Sequence, residues 1–392
     1  MNQNEVSKLI KSKGNRKKNN NDAKEIKKKS ILQKCCETQK RIDTNTIILI
    51  ILIIIFFILL IIYLIKEYIR DNTMNIYFRL LQKNVVPNIL PSNESTKYSQ
   101  TLLDEKKICS TNKKFAIIRR KNCIACGLFS YYIIHLGCII NYLKHGYIPI
   151  LETASFPNVL AGSEITSDNP WEKFFNQPCG YTFKEVVKMK NVEVFNCIGF
   201  SDMPDEKTIY NNNIMWEYHH KIQEKYMSIK DEIYLEAKKY CKEFFGDSKN
   251  ILGILLRGTD YISRAPRGHS IPPSLQDAIN DTIQMDKKYN YDFIFLATED
   301  NIIRKKFINI FKNKLKYLLP EKKVFYNYKR MNFLTFNDNV FGNMNFQKTY
   351  LLNMIILSQC QDIISARTSG AAGAFILSKG FRNSLFYYLG EF

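Results

Sequence analysis

The run Ile47–Ile65, IILIILIIIFFILLIIYLI, contains no charge, no Gly and no Pro. As a helix rising 1.5 Å per residue it spans roughly 28 Å, close to the hydrocarbon thickness of a bilayer. A helix of a soluble core rarely stays apolar on every face for this length. A cleaved signal would have a shorter apolar run and a much shorter lead. Residues 47–65 are therefore read as a transmembrane anchor with the lipid bilayer as partner. Lys27, Lys28, Lys29, Lys34, Lys40 and Arg41 precede the span, against Lys66, Arg70, Arg79 and Lys83 after it. The richer side is expected in the cytoplasm, which makes this a single-pass type II protein. That topology suits the Golgi or ER membrane in a eukaryote and the inner membrane in a bacterium.

The anchor divides the chain. Residues 1–46 form a basic, Lys/Asn-rich cytoplasmic tail with the composition of a disordered segment. Cys35 and Cys36 near the membrane are palmitoylation candidates or idle thiols. Residues 66–112, with Pro87 and Pro91, read as a stem. After the span, the sequons at Asn93 and Asn280 and eight of the ten cysteines fit an oxidising, glycosylating compartment. Net charge is +20, but no nucleic-acid-reading motif accompanies it, so a nucleic-acid partner is not expected.

From Lys114 the pattern becomes globular. Phe115–Ile118 and Tyr147–Leu151 read as strands around an apolar helix, Leu128–Leu143, and residues 213–245 as one polar helix. In the last third, strands are expected at Ile251–Leu256, Phe293–Ala297, Lys323–Tyr326, Asp362–Ser365 and Phe386–Leu389. Helices are expected at Pro273–Met285, Asn301–Phe311, Gln347–Ser358 and Gly370–Ser378. This alternation predicts an α/β fold with two Rossmann-like, doubly wound parallel sheets facing a cleft. The expected domains are 113–247, on the acceptor side, and 248–392, binding the nucleotide sugar. Ligands of such sheets bind beyond the carboxyl ends of the strands.

Three short motifs stand there. Arg257-Gly258-Thr259-Asp260 follows the strand ILGILL, and a guanidinium at that edge can fork onto a diphosphate. Thr298-Glu299-Asp300 follows FIFLA; its carboxylates can accept hydrogen bonds from a purine or ribose, and Asp300 equally suits a helix N-cap. Arg367-Thr368-Ser369-Gly370 follows DIIS and opens an apolar helix, so its hydroxyls and free N–H groups form an anion site. Together they describe a nucleotide-diphosphate pocket. No Walker A lysine loop and no D-x-D motif occur, so no metal site is assigned.

In this order, RGTD, ATED and RTSG resemble the fucosyltransferase superfamily of GT-B fold (the α1,2-, α1,6- and protein O-fucosyltransferases), over roughly residues 114–392. CGLFSYYIIHLGCIINYLKHGYIPILE and NPWEKFFNQPCGY are similar to the same group. Where that superfamily's first motif carries His and a second Arg, this chain has Leu255 and Leu256. The resemblance implies GDP-fucose as donor, a glycan or glycoprotein hydroxyl as acceptor, and inverting transfer with neither metal nor other cofactor. Arg257 would contact the donor diphosphate, and Thr368 and Ser369 match the third motif, a Ser/Thr-rich strand-to-helix turn. Asp260 and His269 are the candidate general bases, with Glu152 a third. Gly127 could let the donor or acceptor approach the backbone.

Other groups are read conservatively. His135 is taken as a satisfied core residue, and His219 and His220 as lacking an evident partner. Cys123 and Cys126 are taken as disulfide or free thiols rather than a zinc site. The competing functions are the same fold with another sugar-nucleotide donor, and a non-catalytic glycan-binding or scaffold membrane protein.

Overall fold

The computed structural model describes residues 46–65 and 113–392, except 122–125, 164–165, 167, 198–202, 207, 259–264, 266–267 and 320–340. The chain separates into two compact units, 1–69 and 70–392. In the first, helix α1, Thr46–Ile65, is long and apolar enough to cross a membrane, and none of its apolar window is buried.

The second unit is mixed α/β. Strand β1 (Lys114–Arg119) leads through α2 (Leu128–Lys144) to β2 (Tyr147–Glu152), then through α3 (Phe183–Val186) to β3 (Val192–Asn196). These strands form a parallel sheet of order β2-β1-β3. Helices α4 (Asn213–Tyr226) and α5 (Asp231–Phe245) follow. A second parallel sheet has order β6-β5-β4-β7-β8, built from β4 (Ile251–Leu255), β5 (Phe293–Ala297), β6 (Leu315–Lys316), β7 (Asp362–Ala366) and β8 (Asn383–Tyr387). Its helices are α6 (Leu275–Tyr289), α7 (Asn301–Phe311), α8 (Met344–Ser358) and α9 (Ser369–Leu377).

The near-continuous apolar runs of β4, β5 and β7 suit strands covered on both faces, and nearly all of their residues are buried. The one buried charge among them, Asp362, is compensated at the start of β7 by Arg382, the Tyr291 hydroxyl and Asn383. In the chain order β4, β5, β6, then β7, β8, the direction of winding reverses between β4 and β7. That is the topological switch point, where such sheets open a ligand crevice.

The two sheets share one apolar core that runs from Phe115 to Ile376. Helix α2 is buried on almost every face, and each fully buried Leu or Ile on it contributes roughly 1.5–3 kcal/mol. Helix α9, apolar all round, also lies in this core. The carbonyls of its last turn lack partners within the helix and are capped from α4. Trp216 Nε1 donates to the Phe375 carbonyl at 2.9 Å, and His220 Nδ1 to that of Ile376 at 2.7 Å.

The structure departs from the sequence pattern at several places. Residues 213–245 are two helices, because the intervening backbone pairs with 174–176: Asn176 N–H donates to Ser228 O, and Lys230 N–H to Phe174 O. The pattern overlooked β3 and the two-residue β6. The expected strand Lys323–Tyr326 lies outside the described residues, and the last strand ends at Tyr387 rather than Leu389. His219 and His220 do have partners: His219 Nδ1 bonds the Met215 carbonyl, and His220 bonds α9. His135 is fully buried, but neither ring nitrogen has a hydrogen-bond partner among the described residues.

Candidate functional site

The three motifs end neighbouring strands in register. Leu255 of β4 is paired with Ala297 of β5 on one side and with Ser365 of β7 on the other. The residues that follow are thereby set side by side at the switch point. Sequence order alone leaves this adjacency open, because the strands are far apart along the chain.

Arg257 and Glu299 face each other at that edge, with Nε to Oε1 at 3.4 Å and side chains 20% and 13% exposed. The same Glu299 oxygen accepts the Gly258 N–H at 3.2 Å. One carboxylate thus fixes both the guanidinium and the turn that carries it. Gly258 is required for a packing reason: a Cβ there would lie 1.9 Å from Asp300 Oδ2. Asp300 itself is the N-cap of α7, accepting the N–H groups of Ile302 at 2.7 Å and Ile303 at 3.2 Å. Its own N–H donates to Thr298 Oγ1 at 3.1 Å. Of the two roles open to Asp300, the structure displays capping.

On the other side of β4, Thr368 caps α9 by accepting the Ala371 N–H at 3.2 Å. Its carbonyl accepts the Tyr210 hydroxyl at 3.3 Å. Arg367 lies over the rings of Tyr388 at 4.8 Å and Tyr210 at 5.9 Å, an arrangement that holds a guanidinium by its attraction to aromatic faces. Ser369 Oγ donates to Glu206 at 2.5 Å. At Gly370 a Cβ would come within 2.4 Å of the Tyr350 hydroxyl, so the glycine lets α8 close on the start of α9.

A cavity of about 300 Å³ opens on the β5 side of this edge, beside Glu299. Thr298, Glu299, Arg304, Tyr317, Tyr350 and Asn353 are among its lining. The size is at the lower end of small-molecule sites. The wall mixes rings and aliphatic side chains with a carboxylate, a guanidinium, an ammonium and an amide. Arg304 is held by Asn301 Oδ1 at 2.7 Å and lies 5.9 Å from the centre of the Tyr317 ring.

The remaining expected residues are placed differently. Thr259 and Asp260 lie outside the described residues. His269 is exposed, and its backbone pairs with the final residues: Gly268 N–H donates to Phe392 O and Phe392 N–H to His269 O, both at 3.2 Å. Gly127 is the N-cap of α2, and a Cβ there would meet nothing within 4 Å, so no protein contact demands glycine at that position. Glu152 is buried and its carboxylate is engaged in its own turn, accepting from Ser155 N and Oγ at 2.6 Å each and from Ala154 N. Cys126 is half of a disulfide whose other half lies outside the described residues, and a second disulfide joins Cys138 to Cys197.

Sequence reading missed Arg304, Tyr317, Tyr350, Asn353 and Glu206. The first four lie on helices or after a two-residue strand, where periodicity reports only burial. Glu206 sits in an irregular connection with no pattern to mark it.

No family model matches the chain, and no curated protein matches its sequence. Among solved structures it is similar to fucosyltransferase NodZ from Bradyrhizobium, at 13% identity and TM-score 0.44, covering 68% of this chain and 94% of that one. It is also similar to NodZ α-1,6-fucosyltransferase soaked with GDP-fucose, at 13% identity and TM-score 0.41, covering 68% and 93%. A third is POFUT1 in complex with GDP-fucose, at 11% identity and TM-score 0.33, covering 82% and 94%.

Proposed function

We propose that this chain is a membrane-anchored glycosyltransferase that moves a sugar, fucose from GDP-fucose, to a hydroxyl of a glycan or glycoprotein acceptor. The observation that carries the reading is the pairing of Arg257 with Glu299 after the adjacent strands β4 and β5, with the start of α9 following β7 on the other side of the switch point and a nucleoside-sized cavity beside Glu299. On this reading the cavity takes the base and ribose, and Arg257 and the start of α9 take the diphosphate. The acceptor oxygen attacks the anomeric carbon from the face opposite the diphosphate, and the bond to the diphosphate breaks. The sugar's configuration is inverted, and the acceptor proton passes to a base. Arg257 stabilises the charge that develops on the leaving phosphate, so no metal is needed. Asp260 and His269 remain the candidate bases.

The division at residue 247, into an acceptor half and a donor half, belongs to the same proposal. So does the type II topology: the two disulfides favour an oxidising compartment for the part after the span.

The test is transfer and hydrolysis by the full chain in detergent, across GDP- and UDP-sugars and a range of acceptors. Turnover of GDP-fucose, resistant to chelator, is the expected result. Turnover of a different sugar nucleotide would replace the donor. A folded protein that neither binds nor turns over any of them would overturn the transferase reading in favour of a glycan-binding or scaffold role.

A further inference from the structure

Ser369 opens α9 at the place assigned to the donor diphosphate, and its hydroxyl donates to Glu206 at 2.5 Å. Glu206 belongs to the connection between β3 and α4, so a carboxylate from the first half of the unit reaches the helix start in the second. That connection is braced locally. Thr208 Oγ1 donates to Asp205 Oδ2 at 2.6 Å, and Ile209 N–H to the Asp205 carbonyl at 3.0 Å. The Glu206 contact is therefore an organised one.

A serine hydroxyl has a single proton to donate. It cannot serve a carboxylate and a phosphate oxygen together, and two anions beside one helix start repel each other. We propose that Glu206 is an internal anion that holds Ser369 in the ligand-free protein and yields it to a donor phosphate when the nucleotide sugar binds. The inference rests on the diphosphate reading of the α9 start given above. It makes donor binding conditional on Glu206 being neutralised or withdrawn.

The charges around Glu206 set how this depends on pH. Asp205 adds negative charge next to it, Tyr210 presents a phenol, and the Arg367 guanidinium lies near Tyr210. Burial raises the Glu206 carboxyl above the usual carboxylate range, the Ser369 hydrogen bond opposes this, and Asp205 adds to the rise. A carboxyl that takes up a proton on donor binding favours the donor at low pH and opposes it as pH rises through its own pKa. One unit above that pKa about a tenth of molecules carry the neutral form, which weakens apparent affinity about tenfold.

The experiment is calorimetric titration of the full chain in detergent with GDP-fucose across about pH 5 to 8. The donor diphosphate is a diester and lacks the phosphomonoester proton that titrates near pH 6. Wild type, Glu206→Gln and Glu206→Ala are compared; the alanine variant removes the anion without keeping a bond to Ser369. Tighter binding by both variants at the upper end of the range, with a pH profile flatter than wild type, supports the exchange. Equal affinities and parallel pH profiles overturn it and leave the donor site standing. Weaker binding by folded variants also overturns it, because Glu206 would then contribute to the site. If no folded form binds GDP-fucose or any other sugar nucleotide, the inference falls together with the reading it rests on.

Discussion

At the carboxyl end of β2, Glu152 commits its carboxylate to the Ala154 and Ser155 N–H groups and the Ser155 hydroxyl. Around it Asn169 bonds Thr153 N–H and the Leu151 carbonyl, and Asn158 braces the loop that follows. At the carboxyl end of β5, Glu299 instead faces Arg257 and a cavity, while Asp300 does the capping beside it. Acidic residues stand at or just after the end of both strands. The first edge is closed upon itself, and the second divides the work so that one carboxylate caps a helix and the other orients a guanidinium. A carboxylate becomes available for a ligand when neighbouring side chains take over the backbone donors that would otherwise capture it.

The sharpest way to break this comparison is at the open edge. Arg257→Ala is expected to lower transfer by roughly 10²–10³-fold, the range seen when one donor to a developing oxyanion is removed. Circular dichroism should show the fold retained. Unchanged turnover would remove Arg257 from the chemistry.

The closed edge should respond in the opposite currency, stability. Glu152→Ala strands three buried donors, and a loss of about 3 kcal/mol in denaturant unfolding is expected, with donor affinity unchanged. A stable Glu152 variant that lost transfer would instead revive Glu152 as the general base.

His135 sharpens the contrast within the first half. Burial and the nearby Arg120 charge hold its pKa down at about 3, against 6.5 for the free side chain. The unfolded chain takes up a proton below 6.5 that the native state refuses, so stability falls as pH drops through the window from 6.5 towards 3. Between pH 7 and pH 5 this amounts to about 2 kcal/mol. His135→Phe keeps the ring contact with Trp171, whose centre lies 4.5 Å away, and removes the proton. The variant should lose about 2 kcal/mol less than wild type on going from pH 7 to pH 5, measured by paired denaturant titrations.

The smallest effect is expected at Thr368. Its replacement by Ala removes the α9 cap at the open edge and should cost about 1 kcal/mol. A loss several times larger in denaturant titration would mean that the Thr368 side chain also holds the seam with Tyr210.

Much of this was legible in the chain. The apolar run of α1 determines its length and polarity, because a helix without a single charge has no face to offer water. The runs ILGIL, FIFLA and DIISA determine buried strands, and the residues after them mark the edge where sheets of this kind bind ligands. Helix α7 begins and ends where the pattern places it, since Asp300 is both a good cap and the residue before an amphipathic run. Other boundaries moved for tertiary reasons. The helix expected over 213–245 breaks where its backbone finds better partners in 174–176, and β3 is too short and too mixed to announce itself.

What only the tertiary structure decided is which of the marked residues meet. Residues 257 and 299 meet, and 369 follows the strand on the other side, because β4 lies between β5 and β7, a strand order that local pattern does not encode. The role of each carboxylate was settled the same way. Glu152, Glu206, Glu299 and Asp300 are alike in chemistry, and their different tasks follow from which donors the fold places within reach: its own turn for Glu152, a distant serine for Glu206, a guanidinium for Glu299, a helix start for Asp300. Hydrogen bonding acts over about 3 Å, and residues far apart in sequence come within that distance only once the core has closed.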